Sequence, residues 1–193
     1  RARIAIEEAK ILDKKGDHSS SSEKYNSAAE TFQKITQTLE SEQERKEFKL
    51  ITTLSRAWSK MTQAEAEEAP NLFKEASQLF EEAKELSPNE KTRMLALGHS
   101  RFCRALEEGT KFADTRDATL LTPFMQYLES ASNYYVRAGF QNASEYAKAT
   151  KLLFEAYMHM DNAQKENDPE KKAKLYIMAE KVLQTSAGSF MKA

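Results

Sequence analysis

Apolar residues along this chain recur at intervals of three and four. Tyr25, Ala28, Ala29, Phe32, Ile35 and Leu39 form one such run. Leu72, Phe73, Ala76, Leu79, Phe80, Ala83 and Leu86 form a second, and Tyr146, Ala149, Leu153, Tyr157 and Met160 a third. A period of 3.6 puts each set on one side of a helix, in a stripe wide enough to face a core. Polar punctuation separates the runs. Ser20-Ser21-Ser22-Glu23 reads as a capping box, its serine accepting from an orphan N–H while the glutamate reaches back. Ser87-Pro88-Asn89-Glu90 repeats the device with Pro at the first helical position. Asn142 to Glu145 offers Asn as cap, Thr122-Pro123 and Asp168-Pro169 are cap-then-Pro starts, and Pro70 marks a further boundary. Gly16 and Gly139 suit the left-handed position just past a helix end. These signals predict eight helices, over 2–15, 20–40, 43–66, 70–86, 88–112, 122–138, 142–166 and 169–191. The stretch 113–121 is the longest connector; the others are short, so consecutive helices are expected to pack antiparallel.

Composition strengthens that reading. Two Val and six Ile stand against 26 Ala, and Gly and Pro together number nine. Strands need β-branched residues and tight hairpins need Gly, so sandwiches, barrels and Rossmann-like sheets are disfavoured. The fold class expected is all-α: antiparallel helix hairpins stacked as a short right-handed α-solenoid of about eight helices. Charge is balanced, 29 Lys and Arg against 30 Asp and Glu, a net of -1. That gives no global field to gather nucleic acid or an anionic membrane. Cys103 is the only cysteine, so no internal disulfide forms, and a reducing, cytoplasmic location is expected. No apolar run approaches the ~18–20 residues that span a bilayer. The chain opens Arg-Ala-Arg with neither Met nor a signal segment, so residues 1–193 are expected to be one domain taken from a longer protein.

An internal repeat is visible. Leu128–Ala138 aligns without gaps with Leu183–Ala193, matching Tyr135 with Phe190, Val136 with Met191, and Arg137 with Lys192. Leu12 to Asp17 is a weaker third copy. Ala76, Phe80, Ala83 and Pro88 stand at the spacing of the second helix of a tetratricopeptide repeat, and Gly16, Ala28 and Phe32 match part of another copy. The chain therefore resembles a divergent tetratricopeptide-like helical repeat. Tyr134-Tyr135 through Gly139-Phe140, followed by Tyr146 and Ala147, resembles the looser repeats of the soluble NSF attachment protein group. The first-helix signature Trp-x-x-Leu-Gly is missing, since Trp58 lacks the Leu-Gly pair. The resemblance implies a stack that offers binding surface. Tetratricopeptide-like adaptors use a concave face, and the attachment-protein relatives a broad charged face against coiled coils.

Candidate chemistry is thin. His18, His99 and His159 have no His, Cys or Asp at a helix-neighbour spacing that makes a ligand set. His99 and Cys103 share a helix face, but a Cys–His nucleophile also needs an orienting group and an oxyanion site. The acidic pairs, Glu7-Glu8, Glu65 with Glu67-Glu68, Glu81-Glu82 and Glu107-Glu108, read as solvated surface. Lys171, Lys172 and Lys174 lie beside Glu170 with no interleaved aromatic to stack a base. No phosphate loop, hydrolase elbow or zincin motif occurs. No enzyme activity, cofactor or metal is expected. Two basic rows remain. Arg45, Lys49, Arg56 and Lys60 fall within about 60° around an ideal helix, and Arg93, Arg101, Arg104 and Lys111 within about 80° on the helix two further along. Alternate helices of a hairpin array line one surface, so the rows are expected to neighbour each other as a basic groove for an acidic peptide or helix. The expected function is a non-catalytic protein–protein interaction scaffold or adaptor. The alternative is a helical regulatory module of a larger enzyme or signalling protein.

Overall fold

The computed structural model describes all residues 1–193. Eight α-helices follow one another: α1 (Ala2–Lys14), α2 (His18–Thr38), α3 (Glu42–Glu67), α4 (Pro70–Leu86), α5 (Glu90–Thr115), α6 (Leu121–Ala138), α7 (Gln141–Lys165) and α8 (Pro169–Phe190). A 3-10 turn, Ala118–Leu120, precedes α6, and no strand is present. The fold is all-α, and each helix packs chiefly on the helices before and after it in the chain.

Side-chain pairs give the direction of packing. Phe32 late in α2 meets Phe48 early in α3, while Ser22 at the other end of α2 bonds to Ser59. Lys60 pairs with Glu75 and Lys49 with Glu82, so α4 runs back along α3. Phe124 meets Phe154, Ser132 meets Ser144, and Ser186 donates to the Ala149 carbonyl, carrying the same antiparallel order to α8. The main core joins α3 to α7 through Phe73, Phe80, Phe102, Phe124, Leu128 and Tyr135, with alanines between them. A smaller cluster of Ala2, Ala28 and Phe32 joins α1, α2 and α3.

Small residues set the helix spacing. A Cβ at Gly98 would lie 2.6 Å from the Tyr135 ring, and one at Gly109 would lie 2.9 Å from the Phe124 ring. The α5–α6 contact is thus closer than any side chain at those positions allows. Fully buried serines do similar work elsewhere: Ser21 donates to the Ala9 carbonyl between α2 and α1, and Ser77 and Ser100 pair between α4 and α5. Each hydroxyl satisfies itself across the contact, which is what permits its burial.

Four helix starts depart from the sequence reading. Asp17, not Ser20, caps α2, accepting from the Ser20 N–H. The carboxylate lies one turn upstream, and this frees Ser21 and Ser22 to bond to neighbouring helices. Asn89, not Ser87, caps α5, with Pro88 in the turn between. α7 begins at Gln141 without a side-chain cap, so Asn142 lies inside the helix; Gly139 and Phe140 alone separate it from α6. Thr122 is likewise inside α6, which extends the 3-10 turn that Asp117 caps. α5 runs to Thr115, which shortens the expected long connector, and it ends on Arg116 in the left-handed region. Pro70, Asp168, Gly16 and Gly139 hold the roles expected of them. Asp168 accepts from the N–H groups of both Glu170 and Lys171. Asp168→Ala is expected to destabilise the protein by about 1 kcal/mol, read as a lower urea midpoint at unchanged slope.

The α7 stripe also differs. Tyr146 is 49% exposed, and the face α7 buries holds Ser144, Ala147, Ala149, Ala156 and Ala163. Short side chains let α6 and α8 close on that face, and the tyrosines lie beside the contact. The two repeat copies occupy the ends of α6 and α8 but differ in cover. Tyr135 is 3% exposed between α5 and α7, whereas Phe190, on a helix that packs chiefly on α7, is 37% exposed.

Candidate functional site

Alternate helices do line a common surface. On α3, Ile51, Leu54, Ser55 and Trp58 stand at i, i+3, i+4 and i+7, which places them on one face. Ile6 and Ile11 of α1 approach from one side, and Leu95 and His99 of α5 with Phe140 and Ala143 from the other. Together with Tyr25 they enclose an open trough of about 630 Å³. Glu7, Lys10, Asp13 and Lys14 form a rim of both signs along α1. Ile11 and Phe140 are exposed.

Aromatic contacts brace the floor. The Trp58 ring lies edge-on to His99 at 4.4 Å and to Phe80 at 5.4 Å, and stacks on Tyr25 at 6.2 Å. His99 in turn meets Tyr135, whose hydroxyl shares a 2.8 Å hydrogen bond with Nδ1. In this apolar cage burial pushes the His99 imidazole down to about 3. Cys103, one turn along, is fully buried, and burial pushes its thiol well above the ordinary range. Low thiolate content of this kind belongs to a packing cysteine.

The two basic rows lie elsewhere, and α4 stands between them. Lys60 pairs with Glu75 at 3.0 Å and Lys49 with Glu82 at 3.7 Å on one flank; Arg101 pairs with Glu81 at 3.2 Å on the other. Arg93 reaches Glu90, while Arg104 and Lys111 both pair with Glu107. The expected single groove is therefore divided by a row of carboxylates. Arg45 donates to the Leu39 carbonyl and Arg56 to the Gln33 side-chain oxygen. These two alone of the eight have no carboxylate partner, and they line a polar groove of about 410 Å³ between α2, α3 and α4.

Glu107 corrects a further expectation. It is only 4% exposed, because Arg104 and Lys111 at i−3 and i+4 satisfy its two oxygens. Glu108 is buried beside it, with Lys111 at 3.5 Å.

Comparison with protein-family models, with curated proteins and with solved structures finds no match.

One grouping was invisible to spacing rules. Asp13 at the end of α1, His18 at the start of α2 and Glu65 near the end of α3 bring one oxygen, one ring nitrogen and one oxygen within 4.8 Å of one another. His18 Nδ1 lies 2.9 Å from Asp13 Oδ1 and 3.5 Å from Glu65 Oε2. Burial and the Asp13 charge push the Glu65 carboxyl up to about 7 against the opposing pull of His18. The spacings of five and 47 residues match no helix-neighbour rule; only the antiparallel return of α3 brings the third group in.

Proposed function

We propose that the chain is a non-catalytic interaction scaffold of tetratricopeptide-like build. It holds an amphipathic helix or peptide from another protein in the trough between α1, α3 and α5. The observation that carries this reading is the trough itself: nine apolar lining residues, six of them from the alternate helices α1, α3 and α5, on an aromatic floor, with a rim of mixed charge. A helix laid in a groove presents apolar side chains at i, i+3, i+4 and i+7, which is the shape of surface such a floor complements. Curved helical stacks supply such a surface while their core stays intact. No helix is long and apolar enough to cross a membrane. A buried, unpaired cysteine suits a reducing compartment such as the cytoplasm.

Selection of peptides from a displayed helical library on the intact chain tests the reading. Binders are expected to carry apolar residues at helical spacing. Ile11→Glu and Phe140→Ser, both at exposed positions, should each weaken them about tenfold, the effect of losing one buried apolar side chain. Unchanged affinity in both variants would refute the trough. The guanidiniums of Arg45 and Arg56, which have no carboxylate partner, support a second reading, an acidic segment in the α2–α4 groove. In that case Arg45→Glu with Arg56→Glu abolishes binding and the trough variants leave it alone.

A further inference from the structure

We infer that Asp13, His18 and Glu65 form a binding site for one first-row divalent cation of the Zn²⁺ type. The donor set is one imidazole nitrogen and two carboxylate oxygens from three different helices. A mixed nitrogen–oxygen set of this kind suits Zn²⁺ and its neighbours, whereas Mg²⁺ and Ca²⁺ take oxygen shells. Zinc bonds of about 2.0–2.1 Å in a tetrahedron set neighbouring donors roughly 3.4 Å apart. The His18–Glu65 separation of 3.5 Å already meets that value, the 2.9 Å Asp13–His18 contact needs to open by about half an ångström, and the two carboxylate oxygens lie within 4.8 Å of each other.

Charge points the same way. Neither Asp13 nor Glu65 has a Lys or Arg in ion-pair reach, in a chain with 29 of them. The single imidazole is shared by both carboxylates. The two buried acids are arranged otherwise: Glu107 holds a cation on each oxygen, and Glu108 has Lys111 at 3.5 Å. A divalent ion would supply the missing positive charge. The backbone is suited to the task. Gly16, at φ 78°, reverses the chain between α1 and α2 so that Asp13 and His18 face each other across the turn. All three side chains are about one-third exposed, which leaves the fourth position open to water. Bound there, the ion pins the α1–α2 turn to the last turns of α3 and closes one end of the helical stack.

Calorimetric titration of the intact chain with Zn²⁺ at neutral pH tests this. One ion per chain is expected, with affinity reduced at least tenfold in each of Asp13→Asn, His18→Gln and Glu65→Gln. At a hundredfold excess over Kd, Zn²⁺ should raise the thermal midpoint by roughly 5–10 °C, and Mg²⁺ should leave it unmoved. In the unmodified chain, Zn²⁺ should shift the NMR resonances of the His18 ring and spare those of His99 and His159. That last measurement decides the matter even if a variant fails to fold. Absence of one-to-one saturation, equal affinity in the three variants, or a response at His159 instead of His18 would overturn the site.

Discussion

Phe80→Ala is expected to destabilise the protein by about 4 kcal/mol, the usual range for deleting a buried phenyl ring being 3–5. Phe80 is fully buried on α4 and touches the rings of Trp58 on α3 and His99 on α5. Its loss removes a ring from the centre of the core that spans α3 to α7 and leaves a cavity that neighbouring helices cannot close without moving. Single domains hold only about 5–15 kcal/mol in total, so this one change takes a large share. For a chain of this size the thermal midpoint should fall by roughly 10–15 °C. Urea unfolding checks it: the midpoint drops while the slope stays the same. Tyr157→Ala is the control. That ring is half exposed, and its removal should cost only a few tenths of a kcal/mol. A Phe80 effect no larger than the Tyr157 effect would mean that the α3–α7 core is not the one described.

Phe80 also shows what was legible in advance. It stands in the run Ala76, Phe80, Ala83, where period and residue size both point inward, and all three are buried. The same logic found all eight helices, because apolar periodicity depends only on neighbours three and four residues away. Caps were less legible. Ser20, Ser87 and Asn142 are good caps in isolation, but Asp17 and Asn89 hold the ends, and α7 starts directly off Gly139. Which of several nearby polar residues caps a helix depends on where the preceding turn leaves the chain. The α7 stripe failed for a related reason: Tyr146 is apolar enough to enter a core, yet the contact with α6 and α8 has room only for alanine and serine. Long-range pairings were least legible. The basic rows on α3 and α5 follow helical geometry as read, but the carboxylates of α4 that stand between them, and the meeting of Asp13, His18 and Glu65, arise only once the hairpins are stacked.

The other large effect concerns acid. His99 has no carboxylate beside it; its ring meets Trp58, Phe80 and Tyr135, and burial holds its pKa near 3. In the unfolded chain the same ring titrates near the ordinary value of about 6.5. Below that pH the unfolded state takes up a proton that the folded state refuses. The contribution of His99 to stability is therefore complete above pH 6.5 and is lost as the pH falls toward 3. The limiting slope is about 1.4 kcal/mol per pH unit. One edge of the ring borders the open trough, which softens the burial, so a loss of about 2 kcal/mol between pH 6.5 and 4.5 is expected. His99→Gln isolates this contribution, since glutamine cannot titrate but still offers Tyr135 an acceptor. At pH 7.5 the variant should be the less stable by its packing loss. As the pH is lowered, the gap in urea midpoints should narrow and then reverse, because the wild type alone carries the penalty. A gap that stays constant from pH 7.5 to 4.5 would show that the ring is solvated, and with it that the trough floor is not the closed aromatic surface on which partner binding depends.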